Sequence, residues 1–271
     1  MQELFELDWL GGPAEKYFRK IRPGTAELPW GSLNLAAMSV AQLDRARIMW
    51  TTMARQEYFT AINFAQLLQH MLIARCPIDL VGMAGDFLAD EMRHVELCAR
   101  IASELGGAAP QLVDLTQVAT VLDPSLSPLQ QVSDLMIRVC CVGEAFSVPM
   151  LVATYQAADA ALLRAALELI VREEAGHARL GWLFLDWRRQ DMATFDDIER
   201  QRLGRVATAQ LCVLAPYWQP KAGTINAIHL GQLTGGDYAA VARRAALADV
   251  VAPLHSVGIA IDTAACGLDS L

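Results

Sequence analysis

The chain has 271 residues, 54% hydrophobic and 19% charged, which supplies a sizeable core and excludes large-scale disorder. Its formal charge is -8, with 22 Lys+Arg against 30 Asp+Glu and no block of basic residues. That argues against nucleic-acid and anionic-membrane partners, both of which select clustered cations.

Residues 1–38 contain Gly11-Gly12-Pro13, Pro23-Gly24 and Pro29-Trp30-Gly31. Breakers this dense predict an arm with one short helix over about 15–21. Beyond Ser39 breakers become rare and apolar residues recur at three and four. This predicts helices over about 40–74 and 78–105, divided by Cys76-Pro77 and stopped by Gly106-Gly107. The stretch 106–127 reads as a connection. Helices over about 128–156 and 160–189 follow, then two accessory helices over about 195–217 and 237–257. No strand-period alternation persists, so the fold class is all-α. Two helical hairpins joined by a long crossover describe a four-helix bundle over 40–190, in a single domain covering 1–271.

The most apolar stretch, 139–153, is about 15 residues with Glu144 near its centre. It is too short to span a membrane and reads as a core helix with one polar residue. The six cysteines (Cys76, Cys98, Cys140, Cys141, Cys212, Cys266) show no CxxC spacing, and no signal-like segment opens the chain. Free, mostly buried thiols in a cytoplasmic location are expected.

Two motifs carry chemistry. Glu91-Met92-Arg93-His94 and Glu174-Ala175-Gly176-His177 each place a carboxylate and an imidazole on one helix face. From 13 Glu and 5 His in this chain, chance supplies only about 0.24 such matches. A lone Glu precedes each motif by about thirty residues. The level halfway between Glu57 and its motif falls beside Cys76-Pro77, and that between Glu144 and its motif falls beside Ala158-Asp159. Those are the two turns, so in antiparallel hairpins each lone Glu lies level with its partners. Glu144 sits in Val139-Cys-Cys-Val-Gly-Glu-Ala-Phe-Ser-Val, where a lone buried carboxylate is costly unless protonated, paired or metal-bound. Two divalent cations would resolve the repulsion among four convergent carboxylates. The candidate metal ligands are therefore Glu57, Glu91, His94, Glu144, Glu174 and His177.

This set, over about 40–190, resembles the ferritin-like di-iron carboxylate superfamily, in which two helices give a Glu and two give Glu-x-x-His. Asp90-Glu91-Met92-Arg93-His94 is similar to the Asp-Glu-x-Arg-His of bacterial multicomponent monooxygenases, where the leading acid orients a ligand histidine. By that likeness Asp90 and Glu173 would stand behind the ligands. Cys98 occupies the position of the radical tyrosine of ribonucleotide reductase small subunits, no rubredoxin-like cysteine quartet is present, and Ile170 replaces the extra ligand of the arylamine N-oxygenases. The resemblance implies two iron ions (or manganese and iron), dioxygen as co-substrate, and oxidation of a small organic molecule in an apolar pocket. With no dinucleotide fingerprint, electrons would come from a separate donor protein or the substrate. A homodimer is compatible. A ferroxidase and a non-catalytic helical interaction module are the alternatives. His70, His229 and His255 read as surface or core histidines, and Trp50, Phe64, Phe146 and Met150 as core. Pro149 should kink its helix beside the metals. Gly181 would leave room for substrate or for close helix packing.

Overall fold

The computed structural model describes residues 2–219, 233 and 235–269. β1 (Glu3–Leu4) leads into α1 (Gly12–Ile21), α2 (Val40–Ile73) and α3 (Ile78–Glu104). β2 (Leu112–Val113) then pairs antiparallel with β1, Glu3 facing Val113 and Leu4 facing Leu112. α4 (Pro128–Met136) continues through a π-helical stretch, Ile137–Glu144, into α5 (Ala145–Ala157). α6 (Ala161–Arg188), α7 (Asp197–Val213) and α8 (Gly235–Ala245) follow, and a second π-helical stretch, Ala246–Val251, joins α8 to α9 (Ala252–Ser256). The fold is an all-α helical bundle. Its two strands of two residues each are too short for alternation to register in the sequence.

Local chemistry sets the boundaries. Ser39 and Ser127 begin α2 and α4 with capping boxes to Gln42 and Gln130. Pro23 disfavours a helical conformation at Arg22, which closes α1 at φ −132°, ψ 75°. Gly106 and Gly107 end the second long helix at φ 106° and 112°, which side-chain-bearing residues rarely adopt. α2 lies along α3, α5 packs on α6, and α3 meets α6, giving two antiparallel hairpins face to face.

The core falls into two apolar bodies. One gathers Phe64, Leu67, Met71, Leu80, Phe87, Leu180 and Phe184. The other gathers Trp50, Ala54, Leu97, Ile101, Leu163 and Ile170. Along α2, α3 and α6 the change from one body to the other occurs at Glu57, at Glu91 and His94, and at Glu174 and His177. A polar layer thus crosses three helices at one level.

Several sequence expectations are corrected. The helix expected over about 128–156 is Pro128–Ala157, continuous over 30 residues with mean hydropathy 1.8 in its most apolar window, so shortness alone does not separate it from a membrane span. Among the described residues it is the one helix long and apolar enough to cross a membrane, yet 61% of that window is buried inside the bundle. Cys212 and Cys266 form a disulfide across 54 residues, while Cys76, Cys98, Cys140 and Cys141 are free and buried. The pairing arises because the C-terminal segment folds back on α7, where Asp262 N donates to Thr208 Oγ1 at 3.0 Å; no local spacing foretells that contact. Gly181 serves packing: a Cβ there would meet Cys141 Sγ at 2.6 Å and Cys140 Cβ at 3.0 Å. Pro149 lies within α5 just after the π-helical stretch. The widened turns and the missing proline N–H together loosen the hydrogen-bond ladder beside Glu144. His70 Nδ1 lies 3.0 Å from the Gln66 carbonyl, and His255 Nε2 accepts from Ile261 N at 3.0 Å. His229 lies outside the described residues.

Candidate metal centre

The structure brings the six candidate ligands together. α2 supplies Glu57, α3 supplies Glu91 and His94, the end of the π-helical stretch supplies Glu144, and α6 supplies Glu174 and His177. All six are buried. Their donor atoms form two overlapping sets: Glu57, Glu91, His94 and Glu174, and Glu91, Glu144, Glu174 and His177. Within each set the atoms lie within 4.8 Å of one another. Glu91 and Glu174 belong to both.

The imidazoles face inward through Nδ1. His94 Nδ1 is 3.1 Å from Glu174 Oε1 and 3.7 Å from Glu57 Oε2. His177 Nδ1 is 2.9 Å from Glu91 Oε1 and 3.1 Å from Glu174 Oε2. Close as these are, both Nδ1 atoms, both Glu91 oxygens and Glu174 Oε2 are buried without a hydrogen bond in proper geometry. Buried polar atoms left in this state are costly. Donors that converge on a common point without bonding one another are what a coordinated cation requires.

Behind the ligands stands a second layer. His94 Nε2 lies 3.0 Å from Glu173 Oε2. A carboxylate only accepts, so in the neutral ring Nε2 carries the proton and Nδ1 keeps its lone pair for the interior. His177 Nε2 is 3.7 Å from Asp90 Oδ2, beyond direct hydrogen-bond reach. The support is crossed: the acid on α6 serves the histidine on α3, and the acid on α3 lies behind the histidine on α6. Arg93 joins the two acids, reaching Asp90 Oδ1 at 3.1 Å and gripping both oxygens of Glu173.

Electrostatics follow from burial and crowding. Burial pushes the Glu91 and Glu144 carboxyls well above the usual carboxylate range, and the facing Glu174 adds to both. Burial opposes protonation of the imidazoles, but the surrounding carboxylates prevail. Glu173, Glu174 and Glu57 raise His94 well above its ordinary value, and Asp90, Glu174 and Glu91 raise His177 to about 12. Glu174 is lowered against its burial by both histidines. In the metal-free chain protons therefore occupy the role of cations. Arg138, the nearest basic residue along the sequence, points to Gln210 instead, at 3.4 Å.

Four carboxylates and two neutral imidazoles match two divalent cations in charge and in donor type. Residues that the motif reading missed complete the surroundings. Phe64 and Phe87 pack on the His177 ring at centroid distances of 5.4 and 4.5 Å. Gly176 makes room for Phe87, whose ring edge would lie 3.2 Å from a Cβ. The glycine between Glu174 and His177 was the available signal. Ser147 donates to Glu144 Oε2 at 3.3 Å, and its spacing of three from Glu144 was visible in the sequence.

Fold and site together define a helical protein with a buried Glu/His cluster able to hold metal. No protein-family model, curated protein or solved structure matches the chain, so the geometry alone carries the functional argument.

Proposed function

We propose that the protein is a di-iron oxidase or oxygenase of the ferritin-like kind, which uses dioxygen to oxidise a small organic molecule beside the cluster. The observation that carries this reading is the pair of overlapping donor sets sharing Glu91 and Glu174. Glu57, Glu91, His94 and Glu174 would hold one cation, and Glu91, Glu144, Glu174 and His177 the other. Bound there, two irons would supply the electron-transfer chemistry by which dioxygen is reduced.

The chain's own residues do the rest. Glu173 holds the His94 Nε2 proton, so that Nδ1 presents its lone pair inward. Phe64 and Phe87 keep water from the His177 side. Ser147 restrains the Glu144 carboxylate at the loosened turn. Reducing equivalents come from a separate donor protein or from the substrate.

Elemental analysis of purified protein, with an optical spectrum after Fe(II) and oxygen are added, tests the proposal. About two metals per chain, half a complement or less in Glu174→Ala, and a transient visible band are expected. A chain that refuses Fe(II) overturns it. Iron oxidised with no organic product under a substrate screen would make iron itself the substrate, and iron counted beside manganese would identify a mixed pair.

A further inference from the structure

The N-terminal arm reaches the same network from outside. Because Pro23 ends α1, Arg22 turns away from the helix, and the chain beyond it crosses the outer face of α3. Arg19 pairs with Glu96, Arg22 with Asp86 at 2.8 Å, and Trp30 stacks under Arg100 at 3.8 Å. Gly31 N donates to Glu104 Oε2 at 2.9 Å. These contacts fasten the arm along the helix. Two others touch the cluster's support. Arg22 Nε lies 3.0 Å from Asp90 Oδ1 as an ion pair, and the Pro23 carbonyl accepts from Arg93 Nη1 at 3.2 Å.

We infer that Arg22 is a positioning residue for the metal centre, acting through Asp90 and Arg93 on both ligand histidines; the inference rests on the dimetal reading above. Asp90 Oδ1 is held between Arg22 at 3.0 Å and Arg93 at 3.1 Å. With Oδ1 fixed on that side, Oδ2 faces His177 Nε2 at 3.7 Å. Arg93, anchored by the Pro23 carbonyl, grips Glu173, whose Oε2 holds His94 Nε2 at 3.0 Å. The side chains of Arg22, Asp90, Arg93 and Glu173 are 15%, 10%, 8% and 11% exposed, so water does little to replace a lost partner. Removing the Arg22 guanidinium frees Asp90 to swing toward Arg93 and away from His177. The arm is then part of the metal site, although none of its residues is a ligand.

Full-length wild type, Arg22→Gln, Arg22→Lys and Arg19→Gln are titrated with Co(II), reading affinity and the shape of its visible absorption band. Arg19→Gln loosens the arm without touching Asp90. Outer-layer partners of metal ligands typically control affinity by 10–100-fold. Arg22→Gln should therefore bind Co(II) about 10-fold more weakly than wild type, with an altered band. Arg22→Lys, which keeps a cation on Asp90, should lie nearer wild type, and Arg19→Gln should match wild type in both readouts. Arg22→Lys also carries the test should Arg22→Gln fail to fold by circular dichroism. An Arg22→Gln protein that titrates like wild type overturns the inference while leaving the dimetal reading intact. Equal weakening in Arg19→Gln overturns it too, by assigning the effect to arm docking alone. A wild type that takes up no Co(II) overturns the dimetal reading, and this inference with it.

Discussion

His94 and His177 each have one nitrogen turned to an acid outside the cluster and the other turned to carboxylates within it. In the metal-free chain both imidazoles are raised, His177 to about 12. A group whose folded value lies above its unfolded one contributes stability that is complete below the unfolded value. That contribution is lost as pH rises toward the folded value. For the histidines the loss begins above the ordinary imidazole value of about 6.5. The Glu91 and Glu144 carboxyls are also raised, so the native state favours their protons as well, and deprotonation at rising pH costs stability in the same sense. Glu174 and Asp90 are lowered; their contribution is lost only on acidification through the carboxylate range, outside this window. Metal-free protein should therefore melt at a lower temperature near about pH 9 than near about pH 6. Saturating metal, which displaces the imidazole protons, should remove most of that slope. Calorimetry of chelator-treated and metal-loaded samples checks both. A metal-free melting temperature that climbs over this range would contradict the assigned proton distribution.

At the scale of the helices, α6 approaches the π-helical stretch closely at Gly181. A methyl group there meets Cys141 Sγ at 2.6 Å and Cys141 N at 3.2 Å, so the two elements must part. Gly→Ala in a helix gains about 1 kcal/mol in propensity, while overpacking a tight core costs about 1–3 kcal/mol. Gly181→Ala should thus destabilise by roughly 1 kcal/mol net and weaken metal uptake, since the displaced stretch ends on Glu144. Urea denaturation and metal titration measure the two effects, and a stabilised variant would show that the elements part freely. The long helices and their turns were legible because breakers act locally: Pro77 and Gly106 mark boundaries wherever they occur. The cluster was legible because Glu-x-x-His has a fixed geometry on a helix. The π-helical stretch was not, since Ile137–Glu144 has the composition of ordinary helix and the extra residue per turn shows only in hydrogen bonding. Arg93 stood in plain view within its motif, but its partner Glu173 lies 80 residues away. Arg22 bonds across a comparable span, 64 residues, to Asp86. Neither partnership has a local signature.

For the whole molecule, the polar layer is where the two hairpins join. Glu57, Glu91 and His94 come from the first hairpin and Glu144, Glu174 and His177 from the second, with an apolar body on each side. Without metal, four carboxyl groups from both hairpins face one another in this layer, offset only by protons on the imidazoles and on the raised Glu91 and Glu144 carboxyls. With metal, each shared carboxylate ties its own hairpin to the other's ligands. Binding should therefore stabilise the bundle as a unit. A ligand that binds only the native state adds about 2.7 kcal/mol when present at about 100 times its dissociation constant. A domain of this size gains about 2–4 °C per kcal/mol, so one bound cation should raise the melting temperature by roughly 5–10 °C, and two by more. A chelator should reverse the rise. The unfolding transition should stay single in both states, because the interface between the hairpins is also the apolar core. Separate melting of two units on metal removal would show instead that the cations, and not the apolar contacts of α3 with α6, hold the hairpins together.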